Sequence, residues 1–132
     1  MIVTDASVLA PAVADSGAAG TTFRRRLRGE TVAVPDLARI ESISVIRRQL
    51  RSGALDESQA TQAVEDLLAL PLIVYPTAQL LHRAWTVRDT ITVYDACYVA
   101  LAEILQCPLV TADARLARSP ALRCAVEVVA SG

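Results

Sequence analysis

The stretch TVYDACYVALAEILQCPLVTADARL, residues 92–116, decides how this chain is read. Thr92 is placed to cap a helix over residues 93–105 that carries Ala96, Cys97, Val99, Ala100, Leu101, Ala102 and Ile104. A helix with almost no polar face has to be buried, and Asp95 in its first turn goes in with it. Pro108–Thr111 then reads as a short, continuously apolar strand, and 114–119 as a short helix. Asp113 falls almost directly after that strand, at its carboxyl end.

The same alternation extends upstream and downstream. Met1–Thr4 is a β-branched run ending at Asp5, and helical spacing follows over 6–14 and 17–28. Thr31–Val34, Leu72–Tyr75 and Ala125–Val129 read as further strands. Asp36 is positioned to cap a helix reaching Ser52, with Gly53 as its stop. Asp56 and Gln59 have the spacing of a capping box for a helix ending near Leu70. A helix over 77–88 places Leu80, Leu81, Ala84 and Trp85 together on one face. Short apolar strands alternating with helices predict an α/β fold with a central, mostly parallel sheet of about five strands, covered by helices on both faces. In such sheets ligands gather at the carboxyl ends of the strands.

Length and composition set the outer bounds. The 132 residues suit one domain over the whole of 1–132. With 53% hydrophobic but only 4% aromatic residues, the core is built from Ala, Val, Leu and Ile. No apolar run approaches the roughly 20 residues that span a bilayer, and MIVTDASVLA lacks the basic start of a signal peptide. Cys97, Cys107 and Cys124 are an odd set without CxxC spacing, which argues against disulfides and zinc. A soluble, cytoplasmic protein of a reducing compartment is expected.

The net charge of -1 argues against a protein that coats nucleic acid. Yet all thirteen basic residues are Arg, with dense groups at Arg24, Arg25, Arg26, Arg28 and at Arg47, Arg48, Arg51. The planar guanidinium suits phosphate; a solvated helix face is the plainer use of the same groups.

Four acids stand apart. Asp5 and Asp113 follow strands on one rim of the sheet. Glu41 has Leu37 and Val45 one turn to either side on its own helix face. Asp95 lies on the buried helix. Each has a structural alternative: Asp5 and Asp113 as helix caps, Thr92 with Asp95 as a capping box, Glu41 paired with Arg39 or Arg48. Together they are harder to place that way. Buried carboxylates repel one another and lose hydration, so they coexist only with a cation or with protons. Oxygen ligands alone select magnesium or manganese over zinc, and such a site suits phosphoryl chemistry.

The segments IVTDASVL (2–9), ARIESISVIRR (38–48), YDACYVALAE (94–103) and LVTADARL (109–116) resemble PIN domains in order and spacing. The resemblance is strongest to VapC-type toxins of bacterial toxin–antitoxin pairs, and it covers essentially the whole chain. It implies a magnesium-dependent endoribonuclease that cuts RNA to inhibit translation and growth, with manganese as a substitute ion. It makes Asp5, Glu41, Asp95 and Asp113 the catalytic and metal-holding acids, and Thr111 their supporting hydroxyl. Arg115 would meet RNA phosphate, and the clustered Arg24–Arg28 and Arg47–Arg51 groups, Arg47 and Arg48 among them, would attract the RNA backbone by charge alone. A homodimer and a VapB-type antitoxin partner follow from the same likeness. Leu9, Val13, Phe23 and Leu27 could serve that partner, although core packing is their ordinary use.

Other readings fit less well. A haloacid-dehalogenase-like phosphatase wants a second Asp two residues after the first, where this chain has Ser7, and a downstream Lys, of which there is none. A receiver-like domain wants paired acids near the first strand and a late Lys. A non-catalytic PIN-like module that binds RNA or protein is the remaining alternative, and it has no need of four acids. The lone His82 reads as a surface residue, Trp85 as a core or dimer anchor, and Tyr94 and Tyr98 as packing. The cysteines read as small buried hydrophobes.

Overall fold

β-branched residues make the centre of the sheet. In a computed structural model, which describes residues 1–130, β1 (Ile2–Thr4) is buried along its whole length between β2 (Val32–Pro35) and β4 (Leu109–Thr111). Beyond them β3 (Ile73–Tyr75) and β5 (Val126–Val128) form the edges, giving the order β3-β2-β1-β4-β5. Every pairing is parallel, with Ile2 opposite Val32 and Val3 opposite Leu109. All five carboxyl ends therefore lie on one rim.

The order of strands matters for what that rim can do. The chain lays β2 and β3 outward on one side of β1, then crosses back to place β4 and β5 on the other. The direction of winding reverses between β1 and β4, which is where a crevice opens in sheets of this kind. The Thr4 hydroxyl donates to the Val110 carbonyl at 2.8 Å and ties these two strands together beneath it.

Helices flank the sheet. They are α1 (Ala6–Ala14), α2 (Ala18–Leu27), α3 (Leu37–Ser52), α4 (Glu57–Ala69), α5 (Leu81–Thr86), α6 (Val93–Leu105) and α7 (Ala114–Ala117). As its composition predicts, α6 is buried from Ala96 through Ala102 and packs on β1, β2 and β4. Around α1 gather α2, α3 and α4, with Ile46, Ala60 and Ala63 forming a small second core. Asp56 and Gln59 make the full capping box at the start of α4, and Gly53, at φ 84°, closes α3 in a left-handed turn.

Several expectations need correction. The helix expected over 77–88 is a 3-10 turn, Thr77–Leu80, followed by the six-residue α5. Only Leu80, Ala84 and Val87 face the core; Leu81 (47% exposed) and Trp85 (63% exposed) lie one residue, about 100°, around the helix and meet solvent. Trp85 is thus no core anchor, and Tyr94 is likewise exposed rather than packed. Asp36 does not cap α3; it accepts a hydrogen bond from the Thr77 hydroxyl instead. Leu9 and Phe23 are buried and unavailable to a partner, while Val13 and Leu27 line a groove between α1, α2 and α4. Only Cys97 of the cysteines is fully buried.

The first Arg group has internal work. Arg24 donates to the Ala12 and Asp15 carbonyls at 3.1 and 2.7 Å, closing the end of α1, and Arg26 pairs with Glu30 and Glu127. Close packing at this corner also fixes Gly20: a Cβ there would lie 1.8 Å from the Asp15 carbonyl oxygen. Alanine favours a helix by about 1 kcal/mol over glycine. Gly20→Ala is nevertheless expected to destabilise the protein by about 2 kcal/mol in urea unfolding, because the clash is with backbone. An unchanged midpoint would mean that the α1–α2 turn shifts freely.

Candidate active site

Asp5 leaves the end of β1 and is 6% exposed, yet its side chain makes no cap on α1. The alternative reading of Asp5 as a helix cap therefore fails. Instead Oδ1 accepts from the Ser7 hydroxyl at 2.5 Å and Oδ2 from the Thr111 hydroxyl at 2.6 Å. Both hydroxyls are themselves held by the loop after β4. Ser7 accepts from the Ala112 amide (2.9 Å) and Thr111 from the Asp113 amide (3.1 Å). The carboxylate is fixed at the β1–β4 crevice by one hydroxyl from the start of α1 and one from the end of β4.

Three of the acids share an electrostatic problem. Burial pushes the Asp5 carboxyl above its ordinary range; the Ser7 and Thr111 hydrogen bonds offset part of this, and the charge of Asp95 adds to it. Glu41 on α3 is raised by burial and by Asp95 and Asp5, against a hydrogen bond from Tyr98. Asp95 is raised by burial and by Asp113, with Thr92 and Arg115 opposing. These groups feel one another because the rim has brought them together.

Asp113 behaves differently. Its carboxylate caps the short α7, accepting from the Arg115 amide at 2.9 Å and from the Arg115 guanidinium at 3.2 and 3.3 Å. Those bonds hold it below the ordinary range. It is an edge acid, already partly neutralised. At the start of α6 the Thr92 hydroxyl accepts from the Asp95 amide at 3.1 Å, so Asp95 is held by a cap at the backbone while its carboxylate stays in the cluster.

The sequence does not single out Ser7 or Tyr98 as site residues. Tyr98 is buried one turn after Asp95 on α6, and its phenol donates to Glu41 Oε1 at 2.6 Å. Glu41 is thereby oriented by Tyr98, with no ion pair to Arg39 or Arg48 among the described residues. The signal for Tyr98 is its i+3 spacing from Asp95; for Ser7 it is the i+2 spacing from Asp5. Arg47 and Arg48 are exposed on α3, with Arg48 two turns beyond Glu41, about 10 Å along the helix and outside the carboxylate group. His82 is exposed and makes no ion pair among the described residues.

Among the described residues no three acidic, histidine or cysteine side chains close into a ready ligand set for a metal. Three of the four carboxylates rest on their own partners: Asp5 on two hydroxyls, Glu41 on Tyr98, Asp113 on Arg115. The donor chemistry still fits a hard divalent ion, because the set is all oxygen and three of its members carry repulsion that a cation relieves.

Comparison with known proteins places the chain in a family. A family model for the PIN domain matches residues 2–122. The chain belongs to the PIN-domain family. It is 39% identical over 130 residues to ribonuclease VapC12 of Mycobacterium tuberculosis, covering 98% of this chain and 100% of that one. It is 37% identical over 131 residues to ribonuclease VapC1 of the same organism, covering 96% of each. Among solved structures, VapBC2 of Rickettsia felis, bound to a DNA fragment from its promoter, matches this PIN domain with a TM-score of 0.69 at 16% identity, over 98% of this chain and 99% of that one. The last likeness speaks to the fold alone. Among the described residues of this PIN domain no helix is long and apolar enough to cross a membrane.

Proposed function

We propose that this PIN domain, spanning 1–132, is a magnesium-dependent endoribonuclease and the toxin of a VapBC-type pair. One observation carries the reading: a buried carboxylate, Asp5, is pinned by two hydroxyls at the strand crevice and shares its charge problem with Glu41 and Asp95. A purely binding module has no use for so unfavourable an arrangement. VapC-named ribonucleases at 37–39% identity over nearly the full chain support the substrate class.

In this reading Asp5, Glu41, Asp95 and Asp113 hold the ion. Magnesium, or manganese in its place, supplies Lewis acidity toward a phosphodiester oxygen and lowers the pKa of a water molecule. Ser7 and Thr111 keep both oxygens of Asp5 from turning away. Tyr98 occupies Oε1 of Glu41, which leaves Oε2 to orient an attacking water or accept its proton. Arg115, 83% exposed beside Asp113, meets RNA phosphate. Arg47 and Arg48 add a salt-dependent, sequence-blind attraction along α3. A VapB-type antitoxin silences the site, and Val13 and Leu27 offer it apolar contacts in their groove. A homodimer is the expected assembly.

The test is cleavage of total cellular RNA by purified protein. Discrete fragments from the wild type with magnesium, absent after chelation and absent with Asp5→Asn, are the expected result. RNA that stays intact under all conditions while still binding the protein would favour a non-cutting module instead.

A further inference from the structure

We propose that Arg88, stacked on the exposed ring of Trp85, is a phosphate-binding residue for the RNA strand at the mouth of the acidic rim; this rests on the nuclease reading above. The loop between α5 and α6 brings Arg88 to the wall of a cavity of about 450 Å³ that also holds Thr92, Asp95, Asp113 and Arg115. This cavity adjoins two of the four carboxylates. Arg88 and Arg115 are the guanidinium groups in its wall.

The two differ in what they are free to do. Arg115 is committed to Asp113 through two nitrogens. Arg88 makes no ion pair among the described residues; its Nη1 donates to the Trp85 carbonyl at 2.9 Å, and no other protein acceptor is found for it there. Of five N–H donors, four are thus left for a ligand. Its guanidinium carbon lies 4.3 Å from the centre of the Trp85 ring. Stacking and the carbonyl bond hold the fork in one orientation, so little side-chain freedom is lost when it grips an anion.

Charge favours the same ligand. Asp89, Asp95 and Asp113 against Arg88 and Arg115 leave the cavity wall at -1, and a divalent cation would turn it to +1. With such an ion bound, a phosphate entering this cavity would meet net positive charge and an uncommitted guanidinium. Trp85, at 63% exposure, presents an aromatic surface alongside, suited to a neighbouring base.

Steady-state cleavage of a labelled RNA oligonucleotide carrying the mapped cut site tests this, with magnesium present, for the wild type, Arg88→Ala and Arg88→Lys. Arg88→Ala is expected to raise KM about tenfold with kcat within about twofold. It should also flatten the dependence of log(kcat/KM) on log salt by about one. Arg88→Lys should keep the wild-type salt slope while recovering only part of KM. A merely structural Arg88 would move the melting temperature and leave the salt slope alone. Unchanged KM and salt slope overturn the proposal, as does a variant whose only change is its oligomeric mass, which would mark the Trp85 face as a contact between copies. A wild type that cuts no RNA removes the nuclease reading and this inference with it, a result distinct from active variants with unchanged KM.

Discussion

Asp5→Asn is expected to lower RNA cleavage by about 10³-fold and, at the same time, to make the metal-free protein more stable. The two effects have one cause. Asp5 carries its charge into a buried crevice beside Asp95, and its carboxyl is raised because burial penalises the ionised form. Asparagine keeps the shape and removes the charge. A gain on the order of 1 kcal/mol, or a Tm rise of roughly 3 °C, is expected at neutral pH in the presence of chelator. Magnesium should raise Tm for the wild type by binding the folded state, and should do much less for Asp5→Asn.

The pH dependence fixes the sign. A carboxyl raised on folding takes up its proton in the native state first, so it favours folding at low pH and loses that contribution as pH rises through its folded value. Asp5, Glu41 and Asp95 all behave this way. The stability gap between Asp5→Asn and the wild type is therefore full at neutral pH. It narrows as pH falls through the raised value and closes near the ordinary 3.8. Asp113 runs the other way, stabilising above its ordinary range and losing that as pH falls through its lowered value. Thermal unfolding in chelator from pH 7.5 down to about pH 4 follows the narrowing of the Asp5 gap, and the Asp113 loss lies at lower pH still. If Asp5→Asn unfolds more easily at neutral pH, its hydroxyl bonds outweigh the buried charge and the carboxylate is a structural strut.

Glu103→Ala should cost about 2–3 kcal/mol of stability by urea unfolding, a large loss for a single polar side chain. Arg83 on α5 grips both oxygens of Glu103 at 2.8 and 3.1 Å, and the Arg123 amide donates to the same carboxylate at 2.7 Å. Arg83 also donates to the Ala121 carbonyl at 2.8 Å. One carboxylate thus joins α5, α6 and the segment leading into β5. Side-chain exposures of 22% and 11% keep the pair short of full burial, hence a figure below the 3–5 kcal/mol of a buried pair. Burial alone would raise Glu103, but the Arg83 and Arg123 bonds outweigh it and hold the carboxyl low. Its stabilisation is present above the ordinary 4.5 and fades as pH falls through the lowered value. Glu103→Gln, which retains one acceptor, should lose less; a loss equal to that of alanine would locate the effect in charge alone.

Much of this was legible from residue types. The short β-branched runs and the apolar α6 are visible because burial on all sides removes polar residues from the sequence itself, and parallel pairing follows from that. Asp5, Glu41 and Asp95 stood out as candidates for the same reason, as acids where acids are costly, and Asp113 by its place just after β4. The faces of α5 were not. Leu80, Leu81, Ala84 and Trp85 are apolar in adjacent columns, so pattern alone cannot tell which column meets the core. Tyr98 was hidden by distance along the chain, reaching Glu41 across 57 positions, and Thr111, 106 positions from Asp5, was named only through the family resemblance. Capping also misled at Asp36, whose side chain is drawn away by Thr77 from the following 3-10 turn.

Strand β1 is made first but lies in the middle of the sheet, and Thr4 finds Val110 only 106 positions later. Ribosomes add roughly 5–20 residues per second, so β1 waits on the order of 10 s for its second neighbour. Through that interval Asp5 has neither Thr111 to hold it nor Asp113 nearby. If the acids cut RNA as proposed, a growing chain carries no assembled cutting centre until synthesis has passed β4.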